Sequence, residues 1–299
     1  MVKMEYVFDR AIAAFTLAVV CLMTFMCLNP FKWLFFRTDL VLMRWTFWEI
    51  LISPFGQVQF RHFFTADIFT SMGQALKDIG YVGCYFTYGQ WLNSTEPTTK
   101  ECPRLENYLL VITFIPLWFR FAQCFKKYYD DPKRDKKTFA NAGKYFASIM
   151  VQVAGVLRSK VKGTPSYNFF IIMSAISTTY SYSWDIYMDW GLLRSSEKGK
   201  FMLRPEIRLP SWFYYFAAFT NLIMRLLWIL PLFQAEMPGW VASGQVLTTC
   251  IAIAEILRRA QWSILRLENE QVNNLENYRT QLDMEDLLDD DDLEKNDEN

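Results

Sequence analysis

One histidine, His62, occurs in the whole sequence, so a histidine-based metal centre or a Ser-His-Asp triad would have to be built around that residue alone. The six cysteines (Cys21, Cys27, Cys84, Cys102, Cys124 and Cys250) make no C-x-x-C spacing and lie mostly within apolar runs, where a thiol behaves as a small hydrophobe. Neither a zinc site nor a disulfide framework is expected. No glycine-rich phosphate loop is present, and no nucleophile motif accompanies the acidic residues, so neither an enzyme nor a bound cofactor is expected. Net charge is absent too, with 31 Lys and Arg against 31 Asp and Glu. That neutrality hides an asymmetry: residues 283–298 hold ten acids against one base, Lys295, and the remainder is basic. Like charges at that density repel and bury nothing, so residues 279–299 are expected to be a disordered cytosolic tail.

What the sequence does have is apolar and aromatic surface. Hydrophobic residues make up 52% and aromatics 17%, too much for an average soluble domain. Residues 11–28 run eighteen positions without a charge, about the length a helix needs to cross a hydrocarbon core, and Asn29-Pro30 ends the run. No small-residue cleavage site follows it, so it is expected to persist as an anchor. Residues 38–52 carry Asp39, Arg44 and Glu49 among Leu, Trp and Phe, which suits an amphipathic helix lying in the interface. Further spans are expected at 63–92, 107–125, 139–157, 166–188, 211–233 and 239–257, with no linker dividing them. The expected fold is all-α: a polytopic helical membrane protein with about seven transmembrane helices. Trp45, Phe47, Trp48, Trp212, Tyr214 and Tyr215 are expected in the interfacial aromatic belts.

Orientation follows from the loop bases. The loops at 29–62, 126–138 and 190–209 hold fifteen Lys and Arg, whereas those at 93–106, 158–165 and 232–238 hold five, so the first set is expected to face the cytosol. The N-terminus is then outside or lumenal, in a plasma membrane or Golgi/endomembrane. The Asn93-Ser94-Thr95 sequon falls on the outer side, which makes Asn93 a candidate glycosylation site. The basic loop at 126–137 reads as a topology signal and an anionic-lipid contact rather than a nucleic-acid site.

Each expected span after the first carries charge: Asp67, Lys77, Asp78, Arg120, Lys144, Asp185, Arg225 and Glu255. A charge at the bilayer centre costs roughly 3 kcal/mol, so eight left unpaired would cost on the order of 20 kcal/mol, more than a fold's net stability. They must face an interior and meet partners. Asp185 and Asp189 are four residues apart, and Glu255 lies three and four before Arg258 and Arg259, so each set projects from one helix face. A central site with Arg120, Lys144, Arg225 and Arg259 would offer guanidinium forks and an ammonium to a tetrahedral oxyanion, with carboxylates moderating that charge.

Four segments carry a resemblance: NAGKY at 141–145, WDIYMDWGL at 184–192, RLLW at 225–228 and EILRRAQWSILRLENEQVNN at 255–274. In these the sequence closely resembles the EXS-domain phosphate exporters, a family that includes the xenotropic and polytropic retrovirus receptor and plant and yeast EXS proteins. The resemblance implies an EXS-like transmembrane domain over 1–278 and phosphate export or recycling through a central pathway. It places Asp67, Arg120, Lys144, Tyr145, Asp185, Asp189, Arg225, Glu255, Arg258 and Arg259 at family anion-pathway positions and Trp228 at a gate position. Trp228 lies one helical turn beyond Arg225, where a large ring can close the path. The chain begins at about the fourth helix of the family pattern, so the SPX domain and front helices are expected to be lacking. Inorganic phosphate and the lipid bilayer are the expected partners, with a homo-oligomer or larger membrane complex. The alternative reading is a noncatalytic EXS-fold subunit of a larger membrane assembly.

Overall fold

The computed structural model describes residues 37–52, 55–56, 58–87, 105–161, 163–193, 200–239 and 244–273, with scattered positions between 14 and 25. Asn93 and the acidic tail lie outside the described residues, as does most of the expected span at 11–28, whose described positions are helical. Among the described residues the structure is helical, without strands. In chain order the helices are α1 (Arg37–Ile52), α2 (Phe60–Thr70), α3 (Gly73–Thr87), α4 (Leu105–Asp130), α5 (Lys136–Lys160) and α6 (Thr164–Trp184). A π turn (Asp185–Asp189), α7 (Ser211–Arg225), a 3-10 segment (Leu227–Glu236) and α8 (Gly244–Asn273) follow.

Two compact units result, one formed by 1–57 with 61–119 and the other by 58–60 with 120–299. The boundary runs inside α2 and α4 rather than through a linker. In the first unit, Thr46 and Ile50 of α1 are buried while Trp45, Phe47 and Trp48 are exposed, and Glu49 meets His62 at 3.0 Å and Arg61 at 3.5 Å. The span expected at 63–92 is broken. Ser71 and Met72 close tight turns onto Ile68 and Phe69, and Leu76 then bonds back to Met72. The Thr70 hydroxyl takes the Asp67 carbonyl at 2.7 Å, offering the backbone an alternative to the ladder just where Ser71 and Gly73 weaken it. A Cβ on Gly80 would stand 2.7 Å from Leu109, so glycine permits α3 and α4 to approach closely there. Cys84 is disulfide-bonded, against expectation; Cys21, Cys124 and Cys250 are free. Spacing alone says nothing about which thiols the fold brings together.

In the second unit, α5 and α6 form an antiparallel hairpin. The Tyr180 hydroxyl donates to the Ala140 carbonyl at 2.6 Å, and Ser148 and Ser177 meet at 3.3 Å. Asp135 caps α5 by accepting from the Lys137 amide. In the preceding loop the Lys133 and Asp135 amides donate to the Asp131 carboxylate, which holds its pKa below the ordinary value. Trp190, Leu203, Tyr214, Trp262 and Leu265 form the apolar packing between α7, α8 and the segment after the π turn. Tyr214 is therefore no belt residue.

By length and composition one described helix, Asn107–Asp130, can cross a membrane, and α7 with its 3-10 extension passes as a pair bent by 46°. Of the other helices, α1, α2 and α3 are too short, and in α5, α6 and α8 polar residues interrupt the apolar surface. That polarity sits inside: Lys144, Asp185, Arg258 and Glu270 are buried, whereas Ile172, Ile176, Phe216, Phe219, Ile253 and Ile256 are exposed.

Candidate functional site

Interruption of α6 builds the centre of the site. The Trp190 amide bonds to the Asp185 carbonyl at 2.8 Å, an i to i+5 closure that inserts one extra residue into the turn. Asp185 and Asp189, at the two ends of this turn, take different hydrogen-bond partners. Asp185, 1% exposed, receives Arg225 through Nε at 3.0 Å and Nη2 at 2.5 Å, and Asn221 at 3.1 Å. Arg258 Nη1 stands 3.7 Å away. All of these reach one oxygen, Oδ2. Arg258 spends the rest of its fork on Glu255, at 2.7 and 2.5 Å, an i, i+3 pair on α8.

Asp189 takes the Trp262 indole N–H at 3.0 Å, with Lys144 and Arg266 each 3.9 Å from its oxygens. Arg259 stacks over Trp262 at 4.6 Å. Lys144, 8% exposed, has its ammonium 4.7 Å from the Tyr145 ring and 5.6 Å from the Trp184 ring. Among the described residues no hydrogen bond ties that ammonium down, so its three donors remain available beside two carboxylates. Arg120 completes the wall: its guanidinium donates twice to the Tyr145 hydroxyl, at 3.1 and 2.9 Å, and once to Gln123 at 2.7 Å.

Nine of the expected pathway residues, from Arg120 to Arg259, thus lie in one unit and make a continuous set of contacts. Asp67 belongs to the other unit, where it is buried at 4% exposure. Asp78, expected to face an interior, is exposed and accepts from Gln74. Trp228 sits just past the α7 break, with its N–H on Thr178 at 3.0 Å and its ring against Phe170 at 6.2 Å.

Sequence reasoning missed Asn221, Thr178, Gln123, Trp262 and Arg266, and an entire second network. Glu268 accepts from the Arg208 amide at 2.7 Å and from the Tyr214 hydroxyl on one oxygen, and pairs with Arg204 at 2.7 Å on the other. Arg204 also donates to the Trp190 carbonyl and to Asn269. Gly191, at φ +63°, lets the chain turn where a Cβ would lie 2.9 Å from Asn269. The available signal was the length of the polar stripe after residue 257: Arg266, Glu268, Asn269 and Glu270 all fall at buried positions of α8, which was expected to end sooner.

The EXS family model matches residues 2–272. The chain is 31% identical to a xenotropic and polytropic retrovirus receptor 1 homolog of Danio rerio over 84% of its length and 38% of the relative's. It is 31% identical to the phosphate transporter PHO1-2 of Oryza sativa subsp. japonica, over 88% of this chain and 32% of that one. For the solute carrier family 53 member 1 of Homo sapiens the identity is 29%, over 89% and 40%. The chain therefore spans less than half the length of these relatives.

Proposed function

The chain belongs to the EXS family, and on that premise we propose that its buried charge cluster is a pathway for inorganic phosphate across a membrane. The observation that carries this reading is the Lys144 ammonium, buried and without a hydrogen bond among the described residues, beside carboxylates that already hold the neighbouring guanidiniums. Lys144 and five arginines (Arg120, Arg225, Arg258, Arg259, Arg266) accompany four carboxylates (Asp185, Asp189, Glu255, Glu270), an excess of positive charge that suits a phosphate anion. Asp185 acts as a place-holder. An arriving phosphate takes the Arg225 fork from its single engaged oxygen, and the carboxylate retakes the fork as the anion leaves, so no cation is stranded.

Apolar side chains outside and charges inside suit helices surrounded by lipid, with the spans between 105 and 257 crossing it. The loop bases orient the chain with its N-terminus outside or lumenal and residue 299 in the cytosol. In this reading the chain performs no covalent chemistry, and Trp228 closes the path beyond Arg225.

Efflux of labelled phosphate from proteoliposomes tests the proposal, with wild type compared against Arg225→Lys. That variant keeps the charge and loses the fork, so flux should fall by about tenfold or more while the protein remains monodisperse. Absence of flux in the wild-type chain would leave the noncatalytic subunit as the better reading. Digestion of a tag after residue 299 only from the outer side of sealed vesicles would invert the orientation.

A further inference from the structure

Arg158 stands apart from the central cluster. Among the described residues no carboxylate pairs with it; it is half-buried at the last turn of α5, with its guanidinium 5.1 Å from the Tyr167 ring and 5.0 Å from the Phe170 ring. Phe170 is the same ring that packs edge-on against Trp228. One turn further along α6, Ser174 is 4% exposed, and its hydroxyl has no hydrogen-bond partner among the described residues. One turn beyond that, Thr178 accepts the Trp228 indole N–H.

These positions share a face. Residues 170, 174, 178, 181 and 185 recur at helical spacing, and Ser174, Ser181 and Asp185 are buried while Ile172, Ala175, Ile176 and Thr179 are exposed. At about 1.5 Å per residue, Ser174 stands roughly 16 Å along the axis from Asp185, between the two α6 positions, Phe170 and Thr178, that Trp228 contacts. A buried hydroxyl left without a partner has no structural reason to be there, since alanine would fill the same space without the desolvation cost. A passing oxyanion would use it.

We propose that this face of α6 continues the pathway past Trp228 to a second oxyanion station at Arg158, with Ser174 donating to the anion on the way and Phe170 joining the station to the gate. The ligand is orthophosphate. The proposal rests on the phosphate-pathway reading above. A neutral hydroxyl suits a transit position, because it supplies a hydrogen bond without the attraction that would trap an anion. Aromatic stacking holds the Arg158 guanidinium in place while leaving its in-plane donors for the anion.

Two readouts on the purified full-length chain test this: equilibrium binding of labelled orthophosphate in lipid-free detergent, and efflux from proteoliposomes. Arg158→Gln should bind about one phosphate fewer per chain at saturation, and Arg158→Lys should regain most of that binding. Ser174→Ala should slow efflux about threefold to tenfold with an unchanged or raised melting temperature, because it removes an unsatisfied group. Equal binding by wild type and Arg158→Gln, including none by either, overturns the station. A lower melting temperature with unchanged flux in Ser174→Ala makes that hydroxyl structural and overturns its role. Loss confined to phosphatidic acid in nanodiscs, with orthophosphate binding intact, assigns Arg158 to a lipid headgroup and also overturns it. Flux with equal binding keeps the pathway and removes the station; a binding difference without flux keeps the anion site and removes transport.

Discussion

Two buried ionic networks lie along α8, and they are built in opposite ways. At Glu268 both carboxylate oxygens are taken, one by the Arg208 amide and the Tyr214 hydroxyl, the other by Arg204. At Asp185 every partner crowds one oxygen, and the next cation stands off at 3.7 Å. The Glu268 network fixes the 200–209 segment against α7 and α8, with Arg204 Nη2 and Glu268 Oε2 held as an ion pair without hydrogen-bond geometry. On the proposed reading, the one-sided Asp185 site, with the Lys144 donors beside it, trades a carboxylate for an incoming anion at little cost. The same residue types thus make a lock in one place and an exchangeable site in the other.

The largest expected effect falls on the lock. Arg204→Met strands Glu268 in a buried position, which should cost on the order of 3–5 kcal/mol and lower the yield of monodisperse protein sharply. Adding Glu268→Gln should recover much of the loss, and a double-mutant cycle in thermal unfolding measures the coupling. If Arg204→Met melted within about 1 kcal/mol of wild type, the two networks would not differ as described. Next comes the exchangeable site: Arg225→Ala should cost a similar 3–5 kcal/mol because Asp185 loses its fork, whereas Arg225→Lys should stay within about 1.5 kcal/mol and lose flux. Wild-type flux in the lysine variant would take Arg225 out of the anion path.

At the gate the expected changes are smaller. Trp228→Ala should raise basal efflux by removing the ring, and Trp228→Phe should keep the closure while losing about 1 kcal/mol with the Thr178 hydrogen bond. Unchanged flux in both would separate Trp228 from the path. The smallest effect lies outside both networks. The Asp131 carboxyl has its pKa lowered in the folded chain, so its contribution to the 131–135 loop is present above the unfolded value and fades as pH falls through the folded one. Protection of the Lys133 and Asp135 amides, measured as exchange relative to the intrinsic rate at each pH, should fall over that acidic range and stay constant near neutrality; constant protection throughout would show that the carboxylate does not hold the loop.

Much of the charge cluster proposed as the exchangeable site was legible in the sequence because its residues are costly. A charge in an apolar run signals a partner, and Arg120, Lys144, Asp185, Arg225 and Glu255 all declared themselves in that way. The lock was not legible. Glu268 and Glu270 look like ordinary solvated residues of a polar stretch, and Arg204 like a topology signal in a basic loop. Their burial arises only because α8 extends to Asn273 and Gly191 turns the intervening chain back onto it. Tyr214 was misread for the same reason, its amphipathic ring fitting a belt as well as it fits a buried hydrogen bond. The break at Ser71–Met72 and the disulfide at Cys84 also escaped a reading based on runs of apolar residues.

By itself the sequence determined the helical class, the helical periodicities and the presence of charges too expensive to be incidental, because hydrophobic pattern and transfer cost are properties of local composition. Only the tertiary structure decided who pairs with whom. It brought Arg225 and Asn221 to Asp185 and Trp262 and Lys144 to Asp189, and left Asp67 in a different unit. Pairing depends on distances of a few ångströms between residues 40 to 80 positions apart, and no local pattern encodes those.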